Sequence, residues 1–134
     1  MTPAIRDAIR ASFARQGLME TLGATLVEVG EGTATVSAPV TAAVAQHHGA
    51  GHAGLTFALA DTESGYAAET MMAEGAAVVT AEMRISLLAP ATGTLVAVGR
   101  VLRPGRRLVA VAADVWSGDT HVATALGSMV SVRP

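Results

Sequence analysis

From Ala77 onward the chain reads as four strand-like runs, "AVVTAEMRISLL", "TLVAVGRVL", "LVAVAADVW" and "HVATALGSMVSV", separated only by turn-length pauses at Pro90 to Gly93, Pro104-Gly105 and Ser117-Gly118-Asp119. Pauses that short join antiparallel neighbours, because a parallel crossover needs a far longer connection. An earlier stretch, "ATLVEVGEGTATVSAPV", adds a hairpin about Gly30-Glu31-Gly32, with Ala34, Val36 and Ala38 alternating with Thr33, Thr35 and Ser37. The chain is therefore predicted to form an antiparallel sheet of about six strands, and its turn chemistry leaves little freedom to do otherwise.

One long helical pattern must pack on that sheet. It runs from about His52 to Met72, after a loop over residues 41 to 51, and its small residues (Gly54, Ala58, Ser64, Gly65, Ala68) allow close approach of helix to sheet. The N-terminus adds a short amphipathic helix, with Thr2 as cap, Pro3 at the first helical position, and Ile5, Ile9 and Phe13 four apart on one face. The 134 residues suit one α+β domain over 1–134, without internal repeat or linker.

Composition narrows the chemistry. A net charge of −2 gives no basic surface for nucleic acid, and no run approaches the roughly 18 to 20 apolar residues that cross a membrane. With no cysteine, thiol nucleophiles, disulfides and Cys-rich metal sites are excluded. All nine basic residues are arginine, so Schiff-base and Walker-type lysines are excluded too. No signal-peptide pattern precedes a small-residue cleavage site, and cytoplasmic residence is expected.

Carboxylates, hydroxyls, histidines, arginines and backbone dipoles remain, and several of them gather in "QHHGAGHAGLTFALADTESGYAA", residues 46 to 68. Asp61 stands among apolar neighbours where a charged carboxylate is costly to bury, so it either faces water or has a function. Glu63 lies about 200° round the helix from Asp61 and is expected to be the solvated one of the two. His47, His48, His52 and Asp61 suit zinc or iron by type, but Gly49 and Gly51 break the helical register and no metal is expected.

The segment H-A-G-L-T-F-A-L-A-D, followed by S-G-Y-A-A and "TAEMRISLLAPA", resembles the hotdog-fold acyl-CoA thioesterases of the phenylacetate-degradation (PaaI) type, in motif from about Gln46 to Ala91 and in element order over the whole chain. His52 and Asp61 keep that family's nine-residue spacing, while Ala53 replaces the first glycine of its His-Gly-Gly pattern. The resemblance implies a long helix wrapped by the sheet, an acyl-CoA substrate, no cofactor beyond the coenzyme A of that substrate, and a homodimer, in turn a dimer of dimers. It also implies Asp61 as catalytic carboxylate, Ala53 as oxyanion residue acting through its backbone N–H, and Gln46 and Thr80 as polar groups beside them. His52 and Gly54 are motif residues expected near the substrate, and His47 and His48 either line the site mouth or cap the loop.

Physical chemistry supports such a site. The first turn of a helix starting near His52 offers unpaired N–H groups to a developing oxyanion, and Asp61 offers a base for water or a direct nucleophile. Eight residues separate Ala53 from Asp61, about 12 Å of helix rise, too far for both to reach one carbonyl carbon. A second copy lying antiparallel brings them together, which predicts composite sites in a homodimer. Alternatives on the same fold are a non-catalytic acyl-CoA-binding protein and a dehydratase or hydratase. Arg100, Arg103, Arg106 and Arg107 surround the Pro104-Gly105 turn, either as a grip for coenzyme A phosphates, with Arg106 and Arg107 foremost, or as a solvated hairpin tip. Met71 and Met72 read as acyl-pocket shapers or core fillers, and Asp114 and His121 as ordinary surface positions.

Overall fold

In a computed structural model of the protein, which describes residues 1–132, helix α1 (Pro3–Ala14) starts where the Thr2 hydroxyl accepts from the Ile5 N–H, and it buries Ile5 and Ile9. A one-turn helix α2 (Gly17–Thr21) follows, then the hairpin β1 (Thr25–Gly30) and β2 (Thr33–Pro39). After a short 3₁₀ turn (Ala42–Val44) come the central helix α3 (Ala53–Glu69) and the strands β3 (Ala77–Leu87), β4 (Thr94–Arg103), β5 (Leu108–Ser117) and β6 (Thr120–Val132).

The strands form one antiparallel sheet in the order β1-β2-β4-β5-β6-β3. The hairpin connections put β4, β5 and β6 side by side, and β3 folds back onto the far side of β6. The eleven-residue β3 is consequently an edge strand, with one row of backbone groups facing no other strand among the described residues. The sheet curls round α3. Leu55 and Leu59 of α3 pack with Val36, Leu95 and Val115, while its later turns meet Val109, Val111 and Met129 through Ala68. Helix α1 closes the remaining flank, where Ile5 and Ile9 meet Val29 and Tyr66. Each large apolar side chain buried in this way contributes roughly 1.5–3 kcal/mol.

Both ends of α3 have identifiable causes. His52 Nδ1 accepts from the Gly54 N–H at 2.7 Å, and a Cβ at Gly54 would sit 2.9 Å from that nitrogen, so this position favours glycine. At the other end the Thr70 hydroxyl donates to the Ala67 carbonyl and accepts from the Gly32 N–H in the β1–β2 turn, where Gly32 has φ of 73°. That cross-link stops the helix at Glu69, short of Met72. Met72 turns into the core beside Val109 and Met129, and Met71 is partly exposed.

Glu63 is the main departure from the sequence-based expectation. It is fully buried instead of solvated, facing β4 where a Cβ on Gly99 would lie only 1.6 Å from its Oε2. The angular argument is sound, but the curled sheet makes the side of α3 opposite Asp61 its deepest. Ser64 Oγ donates to Oε2 at 3.4 Å and, among the described residues, Oε1 has no partner. Burial pushes this carboxyl up to about 10, only partly offset by the Ser64 hydrogen bond, so it is protonated at neutral pH.

Candidate active site

The anchor for the first half of the site lies between β2 and α3. Gln46 and Ala50 close a tight turn, the Gly51 N–H donates to Ala91 O at 2.7 Å, and the His52 N–H donates to Val44 O at 2.9 Å. These bonds fix the start of α3. The Gly54 N–H is spent on the His52 ring and the Leu55 and Thr56 N–H groups on the His52 carbonyl. Among the described residues, the Ala53 N–H donates to no protein acceptor. Ala53 lines a cleft of about 330 Å³ together with Gln46, His52, Thr56 and Leu87. An unpaired N–H at a helix start is a donor ready for negative charge.

Asp61 occupies a different cleft, of about 300 Å³, two turns further along α3. Thr80 on β3 donates to its Oδ1 at 2.6 Å, which leaves Oδ2 free to accept from another donor. The same cleft is lined by Ser12, Gln16, Tyr66 and Glu69. Gln16 Nε2 donates to the Tyr66 hydroxyl at 2.7 Å, and Ser12 Oγ shares a hydrogen with it at 2.9 Å. Burial raises both the Tyr66 hydroxyl and the Glu69 carboxyl above their ordinary ranges. Sequence reasoning missed this group, since only the docking of α1 brings Ser12 and Gln16 to Tyr66, fifty or more positions away.

The expected site residues thus divide. Gln46, His52 and Ala53 share one cleft, and Asp61 and Thr80 share the other. His47 and His48 line neither; their rings pack against each other at 4.0 Å, and Gln46 Oε1 accepts from the His48 N–H. Met71 and Met72 line neither cleft as well.

A larger cavity, about 820 Å³, lies away from both and is bordered by Arg106, Arg107, Ser131 and residues 73 to 76. A third hollow, along α1, shares Ser12, Glu69 and Ala77 with the Asp61 cleft and Ala73 to Ala76 with the arginine cavity, and so adjoins both. Arg100 does not join Arg106 and Arg107 there. It pairs with Asp114 at 2.9 Å, and Asp114 also takes His121 Nε2 at 2.8 Å, under a stacked Trp116. Asp114 and His121 are therefore half-buried network members and not plain surface positions. Partial burial pulls the Asp114 carboxyl upward, but hydrogen bonds from Thr124, Arg100 and His121 outweigh it and hold the group below the usual carboxylate range.

No group of three or more His, Cys, Asp or Glu is placed to hold a metal ion among the described residues. Nor is any described helix long and apolar enough to cross a membrane.

Known proteins match this arrangement. The family model of the thioesterase superfamily matches residues 48–124. A thioesterase family protein from Silicibacter pomeroyi superposes with a TM-score of 0.94 at 32% identity, covering 97% of this chain and 99% of its own. The Escherichia coli PaaI protein from the phenylacetic acid degradation operon gives 0.88 at 26% identity, covering 96% and 94%. A Haemophilus influenzae thioesterase gives 0.86 at 20% identity, covering 99% and 93%, a likeness of fold. Among curated protein sequences, none matches. The family match and the wrapped central helix agree, and the chain belongs to the thioesterase superfamily as a hotdog-fold thioester hydrolase of the PaaI type.

Proposed function

We propose that the protein hydrolyses acyl-CoA thioesters at two composite sites of a homodimer, with Asp61 of one subunit and the Ala53 N–H of the other acting on the same carbonyl. The observation that carries this reading is the separation of the two groups. They lie in different clefts, about 12 Å apart along α3, and each cleft includes residues of the edge strand β3. Antiparallel pairing of β3 with a second copy continues the sheet and sets the start of one α3 against the Asp61 cleft of the other.

In the resulting site Oδ2 of Asp61 takes a proton from water while Thr80 holds Oδ1. The water oxygen bonds to the thioester carbon, and the carbonyl oxygen gains negative charge against the Ala53 N–H and the α3 dipole. The tetrahedral intermediate then breaks its C–S bond. Coenzyme A departs as a thiolate that needs no strong acid, and the free carboxylic acid remains. Gln46, beside Ala53 in its cleft, orients the thioester, and His52 and Gly54 maintain the donor by capping the helix. Arg106 and Arg107 meet the coenzyme A phosphates in the cavity they border. No cofactor takes part other than the coenzyme A of the substrate. A hydratase-type His–acid pair gains no support, since His52 Nδ1 is committed to the Gly54 N–H.

A thiol-release assay over phenylacetyl-, benzoyl-, butanoyl- and decanoyl-CoA tests the proposal. Asp61→Asn keeps the shape and removes the base, and kcat should fall by about 10² or more on every accepted ester. A folded Asp61→Asn protein with undiminished turnover would refute it.

A further inference from the structure

Ala53, Phe57 and Asp61 form one ridge of α3 at four-residue spacing. Phe57 is 37% exposed and lines neither cleft, standing between the two. It is also the midpoint of the ridge. If a twofold axis sets Ala53 of one subunit opposite Asp61 of the partner subunit, position 57 is opposite itself.

The strand beneath is consistent with that midpoint. Asp61 touches Thr80 near the start of β3, while the start of α3 shares its cleft with Leu87 at the end of β3, so helix and strand run in opposite directions. Phe57, halfway from Asp61 to Ala53, therefore lies over the stretch of β3 between Thr80 and Leu87, which begins with a bulge that shifts the register between Thr80 and Glu82. Antiparallel pairing of this stretch with its copy keeps position 57 near the axis.

We propose that the Phe57 rings of the two subunits meet on the twofold axis and form the inner wall that both composite sites share. This assignment rests on the shared-site reading above and adds to it a specific residue and a symmetry. It also accounts for the partial exposure of an aromatic ring on the isolated subunit, which gains both further burial and ring contact on meeting its copy.

The chain has no cysteine, so Phe57→Cys creates a lone thiol. Labelled with pyrene maleimide, the dimer should show excimer emission, and a short bismaleimide should convert unlabelled Cys-variant protein into covalent dimers. Gly65→Cys is the control: it has open space for a side chain, and its two copies would be about 24 Å apart along the axis direction, giving neither signal. Ala58→Cys, one residue along on the half-buried flank, keeps Phe57 in place and serves if removing the ring weakens the dimer. Excimer and cross-link at position 57 or 58, absent at 65, support the proposal. A dimeric, active variant at 57 or 58 that gives neither signal overturns it and leaves shared sites standing. An active wild-type monomer in sedimentation overturns the shared-site reading and this proposal together.

Discussion

Replacing Glu63 by glutamine should remove most of one proton's worth of pH dependence from the folding equilibrium. In the unfolded chain Glu63 ionises near 4.5, whereas in the folded protein burial keeps it protonated up to about 10. Folding therefore takes up a proton throughout that window. Its stabilising contribution is complete below pH 4.5 and is lost as pH rises toward 10, at about 1.4 kcal/mol per pH unit. Between pH 6 and pH 8 the wild type should lose about 3 kcal/mol relative to Glu63→Gln, which has nearly the same shape and no charge to suppress. Comparing the two proteins cancels the other titrating groups, such as Asp114, whose lowered pKa acts in the opposite sense at acidic pH. Urea unfolding at both pH values, at one fixed protein concentration so that assembly contributes equally, measures the difference. Parallel pH dependences in the two proteins would refute the reasoning, since they would mean that Glu63 is ionised in the fold.

The space that Gly99 leaves for this carboxyl gives a second stability test. Gly99→Ala forces its Cβ onto Glu63 Oε2 and should cost about 3 kcal/mol in urea unfolding, whereas adding Glu63→Ala should recover much of that loss by returning the space. For the arginine-bordered cavity, charge reversal at Arg106 and Arg107 should raise KM for CoA esters several-fold and leave an N-acetylcysteamine thioester, which lacks the nucleotide, unaffected. Equal effects on both substrates would assign these arginines another role.

Much of this fold was legible because its signals are local. The Gly30-Glu31-Gly32, Pro104-Gly105 and Ser117-Gly118-Asp119 turns mark their hairpins directly, and Thr2 and Pro3 mark the start of α1. The end of α3 was harder to read, because Thr70 stops it through a hydrogen bond to Gly32, distant in sequence. Glu63 was misread for a related reason: periodicity says that it opposes Asp61, but only the curl of the sheet decides which side is open. The Ala53 and Asp61 positions followed from motif spacing, and the structure puts them in separate clefts. Tyr66, Ser12 and Gln16 gave no sequence signal as a group, since their hydrogen bonds exist only once α1 docks. The four arginines divided because β4 and β5 pair in a register that sets Arg100 near Asp114, away from the hairpin tip.

Subunit mixing tests the central claim most directly. Asp61→Ala removes the base, and Ala53→Pro removes the donor N–H at the first helical position, where proline is tolerated. The residue before it, His52, already has φ of −61° and ψ of 144°, the extended conformation that a following proline requires. Each variant alone should be a folded, nearly inactive dimer. In a mixed dimer one site collects both lesions, and the other combines an intact Ala53 with an intact Asp61. With random mixing half the dimers are mixed and each has one good site, so co-refolding should restore about a quarter of wild-type turnover. Verified mixed dimers with no recovered turnover would contradict the shared site.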